Sequence, residues 1–202
     1  MQTCTLVCDG GERFRRPVRG SIKTEQLLLA QCERDILASA AAIASCFQNG
    51  GKILLCGNGG SAADVQHIAA EFVSAFKQAF QRPGLSANAL TTYTPVLTAS
   101  ANAFGFEGVF ARQVQALGRP GDVRMGISTS GNSENVLRAV NYANANAITT
   151  IAFTGAGGGK LGSAVSLCVR VPATSTQYIL ESHIMIGHIL CDLVEQSLHF
   201  PL

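Results

Sequence analysis

The sequence predicts a three-layer α/β/α domain built on a five-stranded parallel sheet, and three observations lead to this class. The chain has 202 residues, 47% of them hydrophobic and 14% charged, which is enough for one full core. Short segments rich in Ile, Leu and Val alternate with longer helical patterns, as in parallel sheets covered on both faces. Two of the strands run into glycine-rich turns that open helices. We expect this domain over residues 21–202, after a flexible N-terminal extension over 1–20.

The elements follow in order from the spacing of apolar residues and turn signals. A long Ala-rich helix is predicted over 22–48, because it ends at Asn49-Gly50-Gly51, a typical C-terminal signal. Short apolar runs then predict strands at 52–56, 87–91, 123–127, 148–153 and 167–171. The segments between them predict helices at 61–77, 94–102, 107–117 and 133–146, and a last long helix covers 177–199.

The first and last helices lie outside this alternation. Both are apolar and rich in small residues, for example over 38–44 and 184–193. Such helices pack closely, either between subunits or within one core, and the periodicity alone fits both. The low charged fraction favours burial of surface against other copies of the chain.

Two stretches share one design: ILLCGNGGS at 53–61 and MGISTSGNS at 125–133. In each, a strand runs into Gly, Asn and hydroxyl residues at a helix start, where free backbone N–H groups and the helix dipole attract anions. Glycine allows close backbone approach, and Ser or Thr hydroxyls add donors. Together they predict a phosphorylated ligand at one end of the sheet. A third glycine-rich turn, TGAGGG at 154–159, lacks the hydroxyl cluster and is expected to be a flexible connection.

Titratable residues follow the first loop and recur in the last helix. His67 and Glu71 are four residues apart and share a helix face, which suits a divalent metal or a carboxylate base beside an imidazole. An exposed His–Glu pair is the alternative. In the last helix, Glu181 and His188 are seven apart on nearly one face, and His183 is not aligned with His188. Core or interface roles also fit all three.

Composition argues against several classes of partner. The formal net charge of +2 and the absence of a basic stripe argue against nucleic acid. No apolar run reaches the roughly 18 residues that span a bilayer, and the N-terminus lacks a signal-like stretch, so we expect no membrane partner and a cytoplasmic location. Of the seven cysteines, Cys56, Cys168 and Cys191 lie in apolar runs and are expected to be reduced core residues.

Two long motifs, CGNGGSAADVQHIAAE at 56–71 and GISTSGNSENV at 126–136, resemble the sedoheptulose 7-phosphate isomerase (phosphoheptose isomerase) branch of the sugar isomerase (SIS) domain family. Shorter matches are NAFGF at 102–106, FARQV at 110–114, FTG at 153–155 and ESHIMIGHILCDL at 181–193. The resemblance covers about residues 22–199. It implies a flavodoxin-like sheet and a homotetramer with active sites at subunit interfaces.

The resemblance also implies a reaction and its residues. The family interconverts sedoheptulose 7-phosphate and an aldose heptose 7-phosphate through an enediol, toward activated heptose. Glu71 matches the general base and His188 the general acid, and several members bind zinc through residues matching His67, Glu71 and His188. The loop residues expected to bind the sugar phosphate are Asn58, Gly59, Gly60, Ser61, Ser128, Thr129, Ser130 and Ser133.

Several positions depart from the family pattern. Where the family has Gln, this chain has Leu180, so we expect zinc binding to be weakened. Tyr178 replaces Arg, Tyr93 and Ala103 each replace Asp, and Ser74-Ala75 replaces Gly-Arg. Each change removes a group able to bind a polyol or a cation. These changes keep open a second hypothesis, a phosphosugar-binding regulatory or interaction protein with reduced or no isomerase activity.

Two further residues each support one more prediction, Glu71 about activity and Arg124 about its place in the sheet. Glu71 favours the enzyme, since a replication factor of the same family lacks the catalytic glutamate. Arg124 stands near the start of a predicted buried strand, where an unpartnered charge is costly. We therefore expect it at the lower rim of the sheet.

Overall fold

The computed structural model describes residues 6–77 and 82–198, and the side chains from Gly10 onward. One sheet of five parallel strands runs through it, which confirms the predicted fold class. The strands are β1 Ile53–Gly57, β2 Ala87–Ala89, β3 Val123–Ile127, β4 Thr149–Thr154 and β5 Leu167–Arg170. Each matches a predicted strand to within a few residues, because buried parallel strands are continuous apolar runs bounded by turn signals.

Eight α-helices lie within the described ranges: α1 Leu6–Gln31, α2 Glu33–Gln48, α3 Gly60–Val73, α4 Thr94–Phe104, α5 Val109–Leu117, α6 Glu134–Asn144, α7 Leu161–Ala164 and α8 Thr176–Ser197. A 3₁₀ turn over Phe106–Gly108 precedes α5. Helices α1, α2, α3 and α8 form a core with one face of the sheet. Helices α4 to α7 cover the other face. None of the helices in these ranges has the length and apolarity needed to cross a membrane.

The strand order β2-β1-β3-β4-β5 creates a switch point between β1 and β3. From β1 the chain places β2 on one side and later β3 on the other, and the helices after β1 and β3 pack on opposite faces. The two loops therefore diverge at the carboxyl edge of neighbouring strands. Open α/β sheets bind ligands in the crevice that such a divergence leaves.

The N-terminal part differs from the prediction. The helix expected over 22–48 is two helices that meet at Cys32, and α1 begins at Leu6, so the expected boundary at 20/21 falls inside a helix. Packing explains the difference: Gly20 of α1 lies against the ring of Tyr178 on α8, where a Cβ would collide. Tertiary contacts of this kind stabilise a helix whose own sequence pattern is weak.

Two expectations about single residues have different outcomes. The cysteines predicted to be reduced, Cys56, Cys168 and Cys191, are free, although Cys168 is only half-buried. The placement of Arg124 at the rim of the sheet is wrong. Arg124 pairs in register with Leu54 and Thr150 and is fully buried. Its long side chain lies in the core beneath α6 and not at the edge of the sheet.

Candidate active site

The turn after β1 is shaped by its glycines. A Cβ on Gly57 would lie 2.8 Å from Cβ and the carbonyl oxygen of Ser61, so a larger residue would force the turn open. Gly59 has φ 56° and ψ −123°, a conformation that side chains rarely adopt. Helix α3 begins directly at Gly60, and its first N–H groups lack intrahelical partners. This end of α3 is therefore suited to an anion.

The loop after β3 brings serine hydroxyls together at the start of α6. Ser128 Oγ lies 2.9 Å from Ser133 Oγ and 3.5 Å from Ser130 Oγ. Gly131, with φ 67°, closes the loop, and its N–H donates to the carbonyl of Ser128 at 3.0 Å. Hydroxyl groups that rotate freely between donor and acceptor roles can adapt to phosphate oxygens.

The third glycine-rich turn is tied to this loop and does not act as a free connection. The carbonyl of Thr129 accepts from Gly155 N at 3.0 Å, and that of Gly131 accepts from Leu161 N at 2.9 Å. Asn132 Oδ1 accepts from Lys160 N at 3.1 Å. The prediction of a flexible connection did not account for these hydrogen bonds, because short-range sequence signals do not show which loops pack against each other. The third turn therefore supports the backbone of the serine loop.

A reciprocal amide pair joins the two predicted phosphate loops. Asn58 Nδ2 donates to Asn135 Oδ1 and Asn135 Nδ2 donates to Asn58 Oδ1, both at 2.9 Å. Asn135 Oδ1 also accepts from Val136 N. Asn135 is buried, although an Asn in the first turn of a helix usually indicates a solvated end. Sequence reasoning missed it for that reason.

An open pocket of about 230 Å³ borders this amide bridge. Phe106 and Glu107, from the 3₁₀ turn before α5, form one side, and Ser133 with Glu134 forms another. The NAFGF segment thus reaches the loops through space. A polar ligand in this pocket would contact both loops.

Glu71, His67 and His188 come together between α3 and α8, about two to three helical turns along α3 from the first loop. His67 Nε2 lies 2.8 Å from His188 Nε2 and 3.4 Å from Glu71 Oε1. The helices that carry them approach closely, since a Cβ on Gly187 would lie 2.6 Å from Ile68 Cδ1. The Glu71 side chain is 24% exposed and that of His67 48% exposed, so solvent reaches both. A base and an imidazole that are adjacent and accessible can move protons on a bound ligand.

Two other titratable residues of α8 do not join this group. His183 is fully buried, and its Nε2 lies 3.3 Å from the carbonyl oxygen of Thr154. Glu181 is exposed and accepts from Gln177. Core and surface roles, respectively, account for both.

A buried ion pair holds the end of α3, and sequence reasoning missed it. Arg82 Nη2 and Nη1 donate to the carbonyls of Glu71 and Phe72, each at 2.8 Å, and its Nε lies 2.7 Å from Glu195 Oε1 on α8. Glu195 also accepts from Phe76 N at 2.8 Å. Both charged side chains are almost completely buried. They are 113 residues apart, and no local pattern links them.

Glu71, His67 and His188 are residue types that bind zinc, but the two histidines are arranged as a hydrogen-bonded pair. Among the described residues, no set of three His, Cys, Asp or Glu side chains stands in metal-binding geometry. Two nitrogen ligands of one tetrahedral zinc lie roughly 3.3 Å apart. The 2.8 Å between His67 and His188 is shorter. The rings would have to separate slightly to hold an ion with Glu71.

Leu180 borders the first loop rather than the histidines. Its Cδ1 lies 3.2 Å from the position of a Cβ on Gly60. Eight residues of helix separate Leu180 from His188, which is about 12 Å along the axis. Within one chain, a side chain at 180 therefore does not reach the ion site, and a ligand from this position would have to come from another copy.

The other altered positions are spread over α8, α4 and the end of α3. Tyr178 packs on α1, Tyr93 is 62% exposed before α4, and Ala103 is exposed on α4. Ala75 is half-buried just after α3. Of these positions, Leu180 changes the environment of the loops most directly.

Comparison with known proteins now identifies the class. Residues 22–155 match the SIS domain family. The chain is 55% identical over 163 residues to a phosphoheptose isomerase from Roseiflexus sp. (strain RS-1), covering 81% of this chain and 82% of the relative. It is 49% identical to one from Aneurinibacillus thermoaerophilus over 183 residues, covering 90% and 91%. The structure of a phosphoheptose isomerase from Francisella tularensis superposes with TM-score 0.88 at 37% identity, covering 93% and 98%.

The family match over residues 22–155 includes both loops, His67 and Glu71. The chain belongs to the SIS domain family and, within it, to the phosphoheptose isomerases.

Proposed function

We propose that this chain interconverts sedoheptulose 7-phosphate and an aldose heptose 7-phosphate, as a step in the biosynthesis of activated heptose. The contact of Glu71 with His67 and of His67 with His188, on the helix that the first anion-binding loop opens, is the observation that carries the proposal. Relatives at 49–55% identity bear the name phosphoheptose isomerase.

The two loops would bind the phosphate group of the sugar. Backbone N–H groups at the starts of α3 and α6 favour an anion, and the hydroxyls of Ser61, Ser128, Thr129, Ser130 and Ser133 supply further donors. The amide pair of Asn58 and Asn135 fixes the distance between the loops. A phosphate held in this way anchors one end of the sugar.

The reaction moves one proton between neighbouring carbons. From the aldose, Glu71 as base removes the proton on C2, and that electron pair forms the C1–C2 double bond of an enediol. His188 as acid gives a proton to the carbonyl oxygen at C1. The C2 hydroxyl then loses its proton while C1 gains one, which yields the ketose. A base and an acid on either side of the two carbons are what this chemistry needs.

The imidazole pair sets up the acid. At 2.8 Å, one of the two Nε2 atoms donates to the other, so the bond fixes both ring orientations. His67 therefore holds the ring of His188 in place. His67 also lies between Glu71 and His188, so a change at His67 affects both.

We propose that zinc binds weakly to His67, Glu71 and His188. Zinc in such a site would polarise the carbonyl oxygen of the sugar. The support is the donor set of two imidazoles and one carboxylate, which resembles catalytic zinc sites. The weakness follows from Leu180, since a fourth ligand from this position would have to come from another copy of the chain and is here an apolar side chain.

The assembly and the location are part of the same proposal. We expect a homotetramer, since large apolar side chains such as Phe14 and Leu29 are more than 70% exposed on the single chain. We expect the protein in the cytoplasm. The five cysteines whose side chains the structure describes are free, as in a reducing compartment.

A binding protein without turnover is the second candidate. It is favoured by Leu180, which presents an apolar side chain against the first loop. Such a protein would bind sugar phosphates through the same loops. Ligand binding would then raise its thermal stability by mass action without any product.

Turnover of sedoheptulose 7-phosphate separates the two candidates. The purified chain, Glu71→Gln and His188→Asn are incubated with the substrate, with and without added zinc, and the aldose is followed over time. The enzyme hypothesis expects turnover that falls by at least about a hundredfold in Glu71→Gln. Thermal stabilisation by substrate without turnover would support the binding protein. Stoichiometric zinc in protein purified without added metal would contradict the weakened site.

A further inference from the structure

Arg124 is a buried cation in the middle of the sheet, and the proposed reaction does not use it. It is fully buried in β3, and it is the largest of the fully buried side chains in the described ranges. Its neighbours in register are Leu54 of β1 and Thr150 of β4. Water does not reach the guanidinium, so its charge must be balanced within the protein.

The described residues provide no negative partner for this charge. Arg124 Nη2 donates to Cys56 Sγ and to the carbonyl of Val136 at 3.2 Å, while Nε and Nη1 have no partner there. Burial lowers the pKa of the guanidinium, yet arginine stays protonated in proteins. Burial raises the pKa of the Cys56 thiol to about 11, so the thiol is neutral near pH 7. The cation is therefore uncompensated.

The groups around Arg124 belong to the elements that carry the two phosphate loops. Cys56 is the last residue but one of β1, and Val136 lies in the first turn of α6. A Cβ on Gly126, two residues before Ser128, would collide with Arg124 Nη1. The guanidinium thus lies just below the carboxyl ends of β1 and β3, between the starts of both loops.

A chain of hydrogen bonds continues from this cation to the loops. Arg124 bonds the carbonyl of Val136, the N–H of Val136 bonds Asn135 Oδ1, and Asn135 pairs with Asn58. The charge therefore lies under the amide bridge, on the interior side of the loops that would bind a phosphate. Attraction between charges in a low-dielectric interior persists without direct contact.

We propose that Arg124 is the buried counter-charge of the phosphate group of the substrate. This inference rests on the proposed function, because a phosphate dianion at the loops is the anion that this function brings to the site. Arg124 acts through space and through the Asn135–Asn58 pair, so it is a positioning residue. Without ligand its charge costs stability, and bound phosphate removes that cost.

Two opposite effects follow for Arg124→Met, which keeps the length and removes the charge. Without phosphate the variant melts at a higher temperature than the wild type, because an uncompensated buried charge is replaced by an apolar side chain. Its Kd for inorganic phosphate rises by about five- to fiftyfold, the loss expected for one charge acting across the interior. KM for the sugar phosphate rises more than kcat falls. Arg124→Lys keeps the charge and retains most of the phosphate affinity.

The experiment is thermal unfolding of the full chain over a series of inorganic phosphate concentrations. Wild type, Arg124→Met, Arg124→Gln and Arg124→Lys are compared, with Met125→Leu as a control in the same strand but in the core of the opposite face. We expect the phosphate-induced rise in Tm to shrink in both neutral variants and to persist in Arg124→Lys and Met125→Leu.

Several results would overturn the inference. Unchanged phosphate affinity in Arg124→Met and Arg124→Gln shows that the charge is irrelevant. Equal losses in the Lys and Met variants indicate a role in packing alone, as does a neutral variant that fails to fold. A wild type that binds no phosphate overturns the inference and also contradicts the phosphate site of the proposed function. The other results overturn the inference alone and leave the proposed function intact.

Discussion

His183 shows how burial alone sets the behaviour of a residue. Its Nε2 lies 3.3 Å from the carbonyl oxygen of Thr154, its Nδ1 has no partner in the described part of the chain, and the Phe153 ring lies 5.8 Å away. Burial lowers the pKa of this imidazole to about 4, against an ordinary value of about 6.5. The folded protein therefore keeps His183 neutral where the unfolded chain protonates it.

This shift predicts a loss of stability in acid. Between about pH 6.5 and 4 the unfolded chain binds a proton that the folded chain does not, so stability falls as the pH falls through this window. The contribution of His183 is at most about 3 kcal/mol. Urea unfolding at pH 7 and pH 4.5 measures it, with His183→Gln as the comparison. Gln does not titrate, so the free energy of unfolding of the variant should change less between the two pH values than that of the wild type. An equal change in both proteins would disprove the prediction.

Individual residues were predicted unevenly from the sequence. His67 and Glu71 could be linked because four residues of helix put them on one face. Asn135, Arg82 and Arg124 were missed or misplaced, since their partners lie in other elements of the fold. Local patterns carry no information about such partners.

At the scale of elements, the packing of α3 on α8 determines the geometry of the proposed acid and base. Arg82 and Glu195 fix the end of α3 against α8, and Arg82 bonds the carbonyl of Glu71 itself. Removing one member of a buried ion pair leaves the other charge uncompensated, at a cost of about 3–5 kcal/mol. We expect Arg82→Met and Glu195→Leu each to lose about this much stability and to lower kcat.

The double variant and a surface pair are the controls. Arg82→Met with Glu195→Leu should lose less than the sum of the single variants, because no charge is left unpaired. The exposed pair of Glu134 and Arg138, 3.0 Å apart, should contribute less than about 1 kcal/mol. Chemical denaturation and steady-state kinetics measure both effects. Additive losses in the double variant would show that the two residues act independently.

The elements themselves were largely predictable. Strands buried on both faces are runs of apolar residues, and the five strands of the sheet follow directly from them. The first helix was not predictable from the sequence, because α1 depends on its packing against α8 through Gly20 and Tyr178. The short α7 was missed as well, since four residues give no helical period.

At the scale of the whole molecule, the single chain leaves much apolar surface exposed. Phe14, Leu29 and Tyr93 are 72%, 73% and 62% exposed, and Phe104 is 58% exposed. We expect these side chains to be covered by other copies of the chain. We expect light scattering to give a mass of about four times the 21.1 kDa of the chain.

A charge on this surface should break the assembly. Leu29→Glu replaces an exposed apolar side chain with a carboxylate. We therefore expect the tetramer to dissociate into smaller oligomers or monomers and the turnover to fall. Arg34→Glu, another change of charge on the neighbouring helix, is the control. A wild type that is monomeric at micromolar concentration and fully active would contradict the proposed tetramer.

Proton exchange tests the central claim most directly. An enediol formed by Glu71 exchanges the transferred proton with solvent, so sedoheptulose 7-phosphate in deuterated water should take up deuterium next to its carbonyl carbon. Nuclear magnetic resonance follows this uptake even where net conversion is slow. We predict deuterium in the sugar with the wild type and at least about a hundredfold slower uptake with Glu71→Gln. Undiminished exchange in Glu71→Gln, or none in a wild type that binds the sugar, would contradict the account.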